Sequence, residues 1–289
     1  EAGGLVSVEE AERRVLVVGH PMFAGQSRIT TSLYAGMQLV LPGERARSHR
    51  HTQSALRFVL EGTGAYTAVG GERTPMYPGD FIITPSWEWH DHGNDTPDPV
   101  IWLDGLDIPL VQALDASFME HLGAVEQPVT RPVGDSFARY GSNLLPVDHR
   151  SSGLTSPVFS YPYARTREAL ETLRRNGEPD PCHGYKMRFV NPVTGGFAMP
   201  TIATFMQLLP RGLATQPYRS TDATVFTPVE GEGRTHIGGT VIEWSARDVF
   251  IAPGWATVRH DASSDAVLFS FSDRPVQQAT GLFREERLA

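Results

Sequence analysis

A short turn pattern occurs twice in this chain, and it restricts the fold more than any other feature of the sequence. The segment 59–64, VLEGTG, recurs at 228–233 as PVEGEG. The first copy is followed after 21 residues by Pro85-Ser86-Trp87, and the second after 20 residues by Pro253-Gly254-Trp255. Similar turn chemistry at nearly constant spacing predicts one β-fold used twice. The alternative is two unrelated β regions that share common turn residues.

Short apolar segments separated by Gly and Pro turns fill residues 31–104, a pattern typical of an antiparallel barrel or sandwich. The predicted strands are Leu33 to Leu41, Leu56 to Leu60, Ala65 to Val69, Phe81 to Thr84 and Val100 to Leu103. The repeat extends this prediction to the C-terminal half of the chain. The expected fold class is therefore mainly β, with two barrels joined by helical connectors.

The periodicity changes between the two β regions. Leu110, Leu114 and Phe118 are four residues apart, which predicts a helix within 107–122. A second helix is predicted from Ala164 to Arg175, while 123–162 is rich in Pro, Ser and Gly and is expected to be irregular. The predicted division is an N-terminal segment 1–30, a first β domain 31–106, a connector 107–199, a second β domain 200–273 and a tail 274–289.

Composition excludes several classes of partner. The 289 residues carry a formal charge of −8, whereas a nucleic-acid surface needs concentrated Lys and Arg. Cys182 is the only cysteine, which rules out an intramolecular disulfide and fits a reducing compartment such as the cytoplasm. The sequence contains no run of about 18 apolar residues, so no membrane span is predicted. The first residues lack an initiator Met and a signal-like apolar core.

Four of the ten histidines fall between residues 49 and 92. His49 and His51 are two apart, so on a strand their imidazoles point to the same face. His90 follows a predicted turn and strand that could return it beside this pair. The arrangement predicts a three-histidine metal site, and the alternative is an exposed His-x-His strand face.

These residues resemble the two cupin motifs. Gly43-x5-His49-Arg50-His51 with Glu61-Gly62-x-Gly64 is similar to the first motif, and Pro78-Gly79-Asp80-x4-Pro85-x4-His90 to the second. Cupins often add a Glu ligand a few residues after the second histidine. Gln53, Ser54 and Ala55 stand there in this chain, so three neutral ligands remain. The resemblance implies that both β domains are cupin barrels of the double-stranded β-helix type.

Longer strings resemble one narrower family. The strings 49–62 (HRHTQSALRFVLEG), 89–94 (WHDHGN) and 101–107 (IWLDGLD), with 10–16 and 190–196, closely resemble the gentisate 1,2-dioxygenases, which include salicylate and 1-hydroxy-2-naphthoate dioxygenases. The resemblance covers nearly the whole chain, although family members usually carry a further N-terminal segment. It implies one Fe(II) per chain, and dioxygen that opens gentisate between C1 and C2 to maleylpyruvate. Three protein ligands leave about three octahedral positions for substrate and dioxygen.

The resemblance also assigns residues to the substrate. Family positions carried over here place Arg13, Arg57 and His92 near the substrate carboxylate or the ring oxygens. Arg57 lies six residues after His51, which is the same strand parity, and a guanidinium can bind a carboxylate bidentately. His92 shares the parity of His90 and is expected to hydrogen-bond or shuttle a proton rather than bind the metal. Asp104 is expected to orient one of these side chains, unless it only caps the turn at Gly105.

Tyr34 and Gln38 are four apart on one strand face, and by resemblance both line the pocket. Tyr34 could hydrogen-bond a polar ring substituent such as a second hydroxyl, or it is an ordinary barrel-core tyrosine. By the same resemblance, salicylate-cleaving relatives tend to carry Trp at the Tyr34 position. For Arg57 the plain alternative is a surface strand arginine.

The second barrel is predicted to lack the metal. Counting back from the repeated glycines aligns the His49-Arg50-His51 segment with Tyr218-Arg219-Ser220, and the His90 position falls at Val258. His236 and His260 are then isolated. This domain is expected to be a scaffold or a subunit interface, and the resemblance implies a homo-oligomer, a tetramer.

Three function classes remain open at this point. The first is the Fe(II) dioxygenase, acting on gentisate or alternatively on salicylate or 1-hydroxy-2-naphthoate. The second is a metal-dependent hydrolase or isomerase, since zinc also accepts three histidines. The third is a non-catalytic cupin that binds a small ligand. No nucleic acid and no membrane is expected among the partners, which are a small aromatic acid and dioxygen.

Overall fold

The computed structural model describes residues 14–150 and 153–288. The chain divides into two compact units. The first extends to Tyr163 and includes Asn191–Met199, and the second comprises Ala164–Val190 and the residues from Pro200 onward.

The first unit is built from strands β1 to β11. They are β1 (Arg14–Val17), β2 (Tyr34–Val40), β3 (Arg45–His51), β4 (Ala55–Glu61), β5 (Tyr66–Val69), β6 (Glu72–Pro75), β7 (Phe81–Thr84), β8 (His90–Gly93), β9 (Val100–Leu106), β10 (Met119–His121) and β11 (Ser160–Tyr161). One sheet has the order β1-β2-β9-β4-β7-β11, and the other β10-β3-β8-β5-β6. Neighbouring strands are antiparallel.

The second unit contains the remaining strands. They are β12 (Tyr185–Arg188), β13 (Ala203–Leu209), β14 (Tyr218–Ser220), β15 (Thr224–Glu230), β16 (Glu232–Ile237), β17 (Thr240–Ser245), β18 (Phe250–Ala252), β19 (Val258–Ala262), β20 (Ala266–Ser272) and β21 (Glu285–Arg287). Their sheets have the orders β12-β13-β20-β15-β18 and β17-β16-β19-β14-β21. Read from the opposite end, the latter order repeats that of the second sheet of the first unit.

The internal repeat is therefore one topology used twice, and local irregularities repeat as well. A register shift at Val59/Glu61 recurs at Pro228/Glu230. Trp87 and Trp255 both adopt the left-handed region, with φ of 61° and 65°. The prediction of a mainly β chain with a duplicated fold is confirmed.

An apolar cluster fills part of the first barrel without using the histidines. Its members are Val40, Val59, Ala65, Met76, Ile82, Val100 and Trp102, all at most 4% exposed. Each of the Val, Ile and Met side chains contributes about 1.5–3 kcal/mol through burial. The core can therefore form whether or not the histidines hold a metal.

The helices are α1 (Ile108–Ala113), α2 (Asp135–Tyr140), α3 (Tyr163–Asn176) and α4 (Arg274–Ala279), with a 3-10 turn at Pro21–Phe23. The helix predicted from Ala164 to Arg175 is confirmed by α3. The helix predicted within 107–122 is correct only for α1. Leu114 and Phe118 are 69% and 61% exposed, so their spacing reflects no buried face. Asp115 adopts a positive φ after α1, and the chain continues into β10.

The segment 123–162, expected to be irregular, contains α2 and the short strand β11. None of the helices in the described residues is long and apolar enough to span a membrane.

Candidate metal centre

Strands β3 and β8 bring three buried histidines to one point. His49 and His90 are directly opposite in the ladder, and His51 lies two residues further on the same face of β3. The ring centroids are 4.3 Å apart for His49 and His90, and 4.7 Å apart for His51 and His90. One ligand atom from each residue lies within 4.8 Å of the others. The structure thus brings together the three predicted ligands.

Each of these rings holds its Nδ1 against a backbone carbonyl two residues away. The pairs are His49 with Arg47 at 2.8 Å, His51 with Gln53 at 3.0 Å, and His90 with Glu88 at 2.9 Å. A carbonyl only accepts, so each Nδ1 carries the proton and each Nε2 presents its lone pair. This is the usual way in which proteins orient metal-binding imidazoles.

The donor set fits a divalent transition metal. His90 is fully buried, and its Nε2 has no hydrogen-bond partner in the described chain. A buried polar atom without a partner is costly, and coordination removes that cost. Burial, reinforced by His49 and His51, lowers the pKa of His90 well below its ordinary value, so the ring is neutral as a ligand must be.

Arg57 projects from β4 into the same interior and is 2% exposed. Its Nη1 donates to Thr84 Oγ1 at 2.5 Å, and its Nη2 donates to His92 Nε2 at 3.1 Å. Its Nε lies 3.6 Å from Asp104 Oδ1, which also accepts from Trp102 Nε1 at 2.9 Å. Asp104 lies within β9 and forms an ion pair with Arg57, and the burial of Arg57 excludes the surface-arginine alternative.

His92 is held by its neighbours in one tautomer. Because arginine can only donate, His92 Nε2 accepts, and Nδ1 carries the proton toward Thr67 Oγ1 at 3.0 Å. Its ring centroid is 5.9 Å from that of His90. In this arrangement His92 positions Arg57 and stays outside the group of three ligands.

Tyr34 and Gln38 share one face of β2, as predicted, opposite Leu106 and Trp102 of β9. Gln38 is 1% exposed, and its Oε1 has no hydrogen-bond partner within the described residues. A Cβ at Gly36 would lie 2.4 Å from the Tyr34 hydroxyl oxygen, so glycine at that position makes room for the phenol. Arg13, the other predicted substrate residue, lies outside the described residues.

Sequence reasoning missed three residues of this site. His121 on β10 is opposite His49, with ring centroids 6.3 Å apart, and it was hidden by the prediction of a helix there. Thr84 and Thr67 hold Arg57 and His92, and strand alternation within 81–84 and 65–69 was the signal that could have found them.

Arg57 and His51 do not lie on one strand, so the predicted shared parity does not apply to them. His51 ends β3 and Arg57 belongs to β4 in the other sheet, so counting residues between them does not establish a shared face. Arg57 points inward because its sheet faces the histidines from the opposite wall of the barrel.

The second barrel lacks this ligand set. Tyr218 and Val258 are opposite each other on β14 and β19, as His49 and His90 are on β3 and β8. Within residues 14–150 and 153–288, the three histidines of the first barrel form the only cluster suited to a metal. His236 is paired with Asp261 at 2.8 Å. The structure therefore defines a protein with two β barrels of one topology, the first of which carries a three-histidine metal site.

Known proteins share this architecture. The cupin domain family matches residues 36–106. The chain is 60% identical over 287 residues to gentisate 1,2 dioxygenase 1 of Aquipseudomonas alcaligenes, an alignment that covers 99% of this chain and 83% of that protein. It is 36% identical to a 5-aminosalicylate 1,2-dioxygenase of a Comamonas species, over 100% of this chain and 78% of the relative. The crystal structure of a salicylate 1,2-dioxygenase from Pseudaminobacter salicylatoxidans superposes with a TM-score of 0.93 at 34% identity, covering 99% of this chain and 84% of that one.

The chain belongs to the gentisate 1,2-dioxygenase family, the two-barrel cupin enzymes that cleave aromatic rings. This confirms the resemblance, the predicted fold class and the expectation of a ring-cleaving dioxygenase. The three-histidine group confirms a metal-binding site.

Proposed function

We propose that this enzyme uses Fe(II), bound by His49, His51 and His90, to open the ring of gentisate between C1 and C2 with dioxygen, giving maleylpyruvate. The observation that carries the proposal is the convergence of three neutral Nε2 atoms in an interior that also holds the buried guanidinium of Arg57. The similarity to an enzyme named gentisate 1,2 dioxygenase 1 at 60% identity supports the substrate.

Iron would supply the positions at which a substrate carboxylate and phenolate and dioxygen meet, and a route for ring electrons to dioxygen. The protein would contribute three ligands without charge, so that the metal keeps its full positive charge for an anionic substrate. The backbone carbonyls that hold the three Nδ1 atoms fix the imidazoles before any substrate arrives. This preorganisation lowers the cost of assembling the site.

Arg57 is proposed to attract and orient the substrate carboxylate. Its guanidinium is fixed by Thr84 on one terminal nitrogen and by His92 on the other, and Asp104 balances part of its charge. A fixed, desolvated guanidinium binds a carboxylate more strongly than a mobile surface one, because its conformational freedom is already lost. Arg13 is proposed to assist on the basis of the family resemblance alone.

Tyr34 and Gln38 are proposed to recognise the second hydroxyl of gentisate, which lies para to the first. The unpartnered Oε1 of Gln38 is an acceptor for a hydroxyl proton. The relative named for 5-aminosalicylate also takes a ring with a polar group at this position. Leaving a buried polar group unpaired costs about 1–3 kcal/mol, so a pocket built in this way disfavours salicylate, which lacks the hydroxyl.

Metal analysis together with oxygen uptake tests this proposal. We expect iron to support turnover, and kcat/KM for gentisate to exceed that for salicylate by at least about tenfold, the scale of one such hydrogen bond. Tyr34→Phe should reduce the preference by lowering kcat/KM for gentisate while leaving that for salicylate nearly unchanged. Equal kcat/KM for the two acids, or a preference for salicylate, would reject gentisate and leave the metal centre intact.

Two further expectations accompany this function. The enzyme is expected to act in the cytoplasm, in line with its single cysteine, and as a homo-oligomer, a tetramer by family resemblance. Size-exclusion chromatography with light scattering checks the assembly, since a monomer at working concentration would contradict it.

A further inference from the structure

The positions that replace the metal ligands in the second barrel lie in the wall of a small cavity. Tyr218, Ser220 and Val258 occupy the places of His49, His51 and His90, and all three replacements line this space. The cavity has a volume of about 30 Å³. Since one water needs roughly 10–15 Å³ of cavity volume, the cavity has room for two or three waters or one small ligand.

One half-buried cation lines this cavity without a direct ion pair among the described residues, and the charged side chains that act on it are Arg274, Asp222, Glu285 and Asp180. Lys186 on β12 lines the space and is the only lysine of the chain. Its Nζ lies 4.8 Å from the centroid of the Phe205 ring, and within the described residues it makes no hydrogen bond or ion pair. The neighbouring Arg274 is already neutralised by Asp222, with Nε and Oδ2 3.0 Å apart. Burial lowers the pKa of Lys186 to about 8, so the amine is still mostly protonated at neutral pH.

A histidine in the same wall presents a hydrogen-bond donor. The Thr235 hydroxyl oxygen accepts from Trp244 Nε1 at 2.8 Å and lies 2.8 Å from His260 Nδ1. The hydroxyl proton of Thr235 has His260 Nδ1 as its acceptor, so Nδ1 carries no proton. Burial lowers the pKa of His260 to about 3, so the ring is neutral and its single proton is on Nε2.

Thr235 and His260 stand where Thr67 and His92 stand in the first barrel, with the opposite tautomer. In the first barrel, Arg57 donates to the histidine Nε2. In the second, Phe226 occupies the Arg57 position and contacts the His260 ring edge-on, with centroids 5.3 Å apart. The histidine Nε2 thus accepts where arginine is present and carries a proton where phenylalanine is present.

We propose that the second barrel binds a small monocarboxylate, of the size of formate or acetate, in this cavity. Lys186 supplies the positive charge and His260 Nε2 an N–H donor for the carboxylate oxygens. The first barrel attracts an anion with a metal and an arginine, and the second does so with side chains alone. The size of the cavity excludes an aromatic acid, so this site is distinct from the substrate pocket and does not rest on the proposed substrate.

Because Lys186 is the only lysine, lysine labelled with ¹³C at Cε reports on this cavity alone. The iron-loaded enzyme, prepared without lysine-containing tags, is titrated with formate and followed by NMR at fixed ionic strength. We expect a saturable shift of the Lys186 resonance. The midpoint of its pH titration should rise by about one unit, as tenfold preference of formate for the protonated amine requires. Gluconate carries the same carboxylate on a body too large for the cavity, and it should have no effect.

Two variants complete the test. His51→Ala, which weakens the metal centre, should keep the Lys186 response if the carboxylate binds in the second barrel. Formate should raise the melting temperature of Arg175→Met, which removes an exposed arginine, but give a smaller rise for Lys186→Met. The proposal is overturned if formate leaves the Lys186 resonance and its titration unchanged, if gluconate acts equally, or if His51→Ala abolishes the response.

Discussion

Replacing Arg57 by Ala tests the substrate pocket most directly. The side chain is 2% exposed and holds three neighbours, with Nη1 at 2.5 Å from Thr84, Nη2 at 3.1 Å from His92 and Nε at 3.6 Å from Asp104. A charge-assisted contact to a carboxylate contributes about 1.5–3 kcal/mol. At about 1.4 kcal/mol per power of ten, kcat/KM for gentisate should fall by roughly one to two powers of ten, with a raised KM.

The same substitution should also lower stability, because it leaves Asp104 buried beside Trp102 without its cation. Removing one member of a buried ion pair costs about 3–5 kcal/mol, and the 3.6 Å separation favours the lower end of that range. The double variant Arg57→Ala with Asp104→Asn retains an acceptor for Trp102 and should recover part of the loss. Catalysis should not recover, and this separates the two roles of Arg57.

Oxygen uptake, metal content and the melting temperature are measured in parallel. Thr84→Val is the matched control, since it removes one neutral hydrogen bond from Arg57 and keeps the charge. It should lower kcat/KM only severalfold, on the scale of about 0.5–1.5 kcal/mol. If Arg57→Ala loses its metal and leaves KM unchanged, the carboxylate-binding role is wrong.

Three further outcomes follow from the structure. His51→Ala should abolish activity and most bound metal while circular dichroism remains that of a folded β protein, since the apolar core does not involve the histidines; full activity with stoichiometric metal would contradict the ligand assignment. Elemental analysis should give one metal per chain, and two tightly bound ions would show that the second barrel was misread. Burial raises the pKa of Asp80 to about 6, above the roughly 3.9 of an unfolded chain, so its contribution to stability is present below about pH 4 and lost as the pH rises through 6. In Asp80→Asn the denaturant midpoint should vary less with pH across that window than in the parent protein. An unchanged pH profile would refute this role of Asp80.

The duplicated fold could be predicted from the sequence because a short turn that requires glycine indicates it in each barrel. Gly62 and Gly231 both adopt positive φ, and a Cβ at either would lie within 2.4 Å of a backbone oxygen. Such positions require glycine, so the repeated turn survives in both barrels and can be read from the residues. The metal ligands were equally readable, since His49 and His51 obey strand parity and the repeat locates their counterparts.

The residues that hold Arg57 in place could not be predicted from the sequence in this way. Thr84 and Asp104 hold Arg57 from neighbouring strands of its own sheet, whereas His92 reaches it from the facing sheet. Pairing across a sheet depends on register, and contact between two sheets depends on packing, so neither is encoded in residue spacing. The helix predicted through 114–122 failed for a related reason. Leu114 and Phe118 have helical spacing but bury nothing, and strand pairing with β3 decides the conformation of 119–121.

The two barrels place different residues at the positions equivalent to Arg57 and Asp104. Arg57 and Phe226 stand at the same place in their sheets, opposite Asp104 of β9 and Ser270 of β20. Where arginine is present, its charge needs Asp104 close by and a histidine whose Nε2 accepts. Where phenylalanine is present, neither need remains, and the equivalent of the aspartate is a serine whose Oγ has no hydrogen-bond partner in the described chain. Arginine, aspartate and an accepting histidine therefore form one unit, and a variant that changes only one of them should lose more than its own contact.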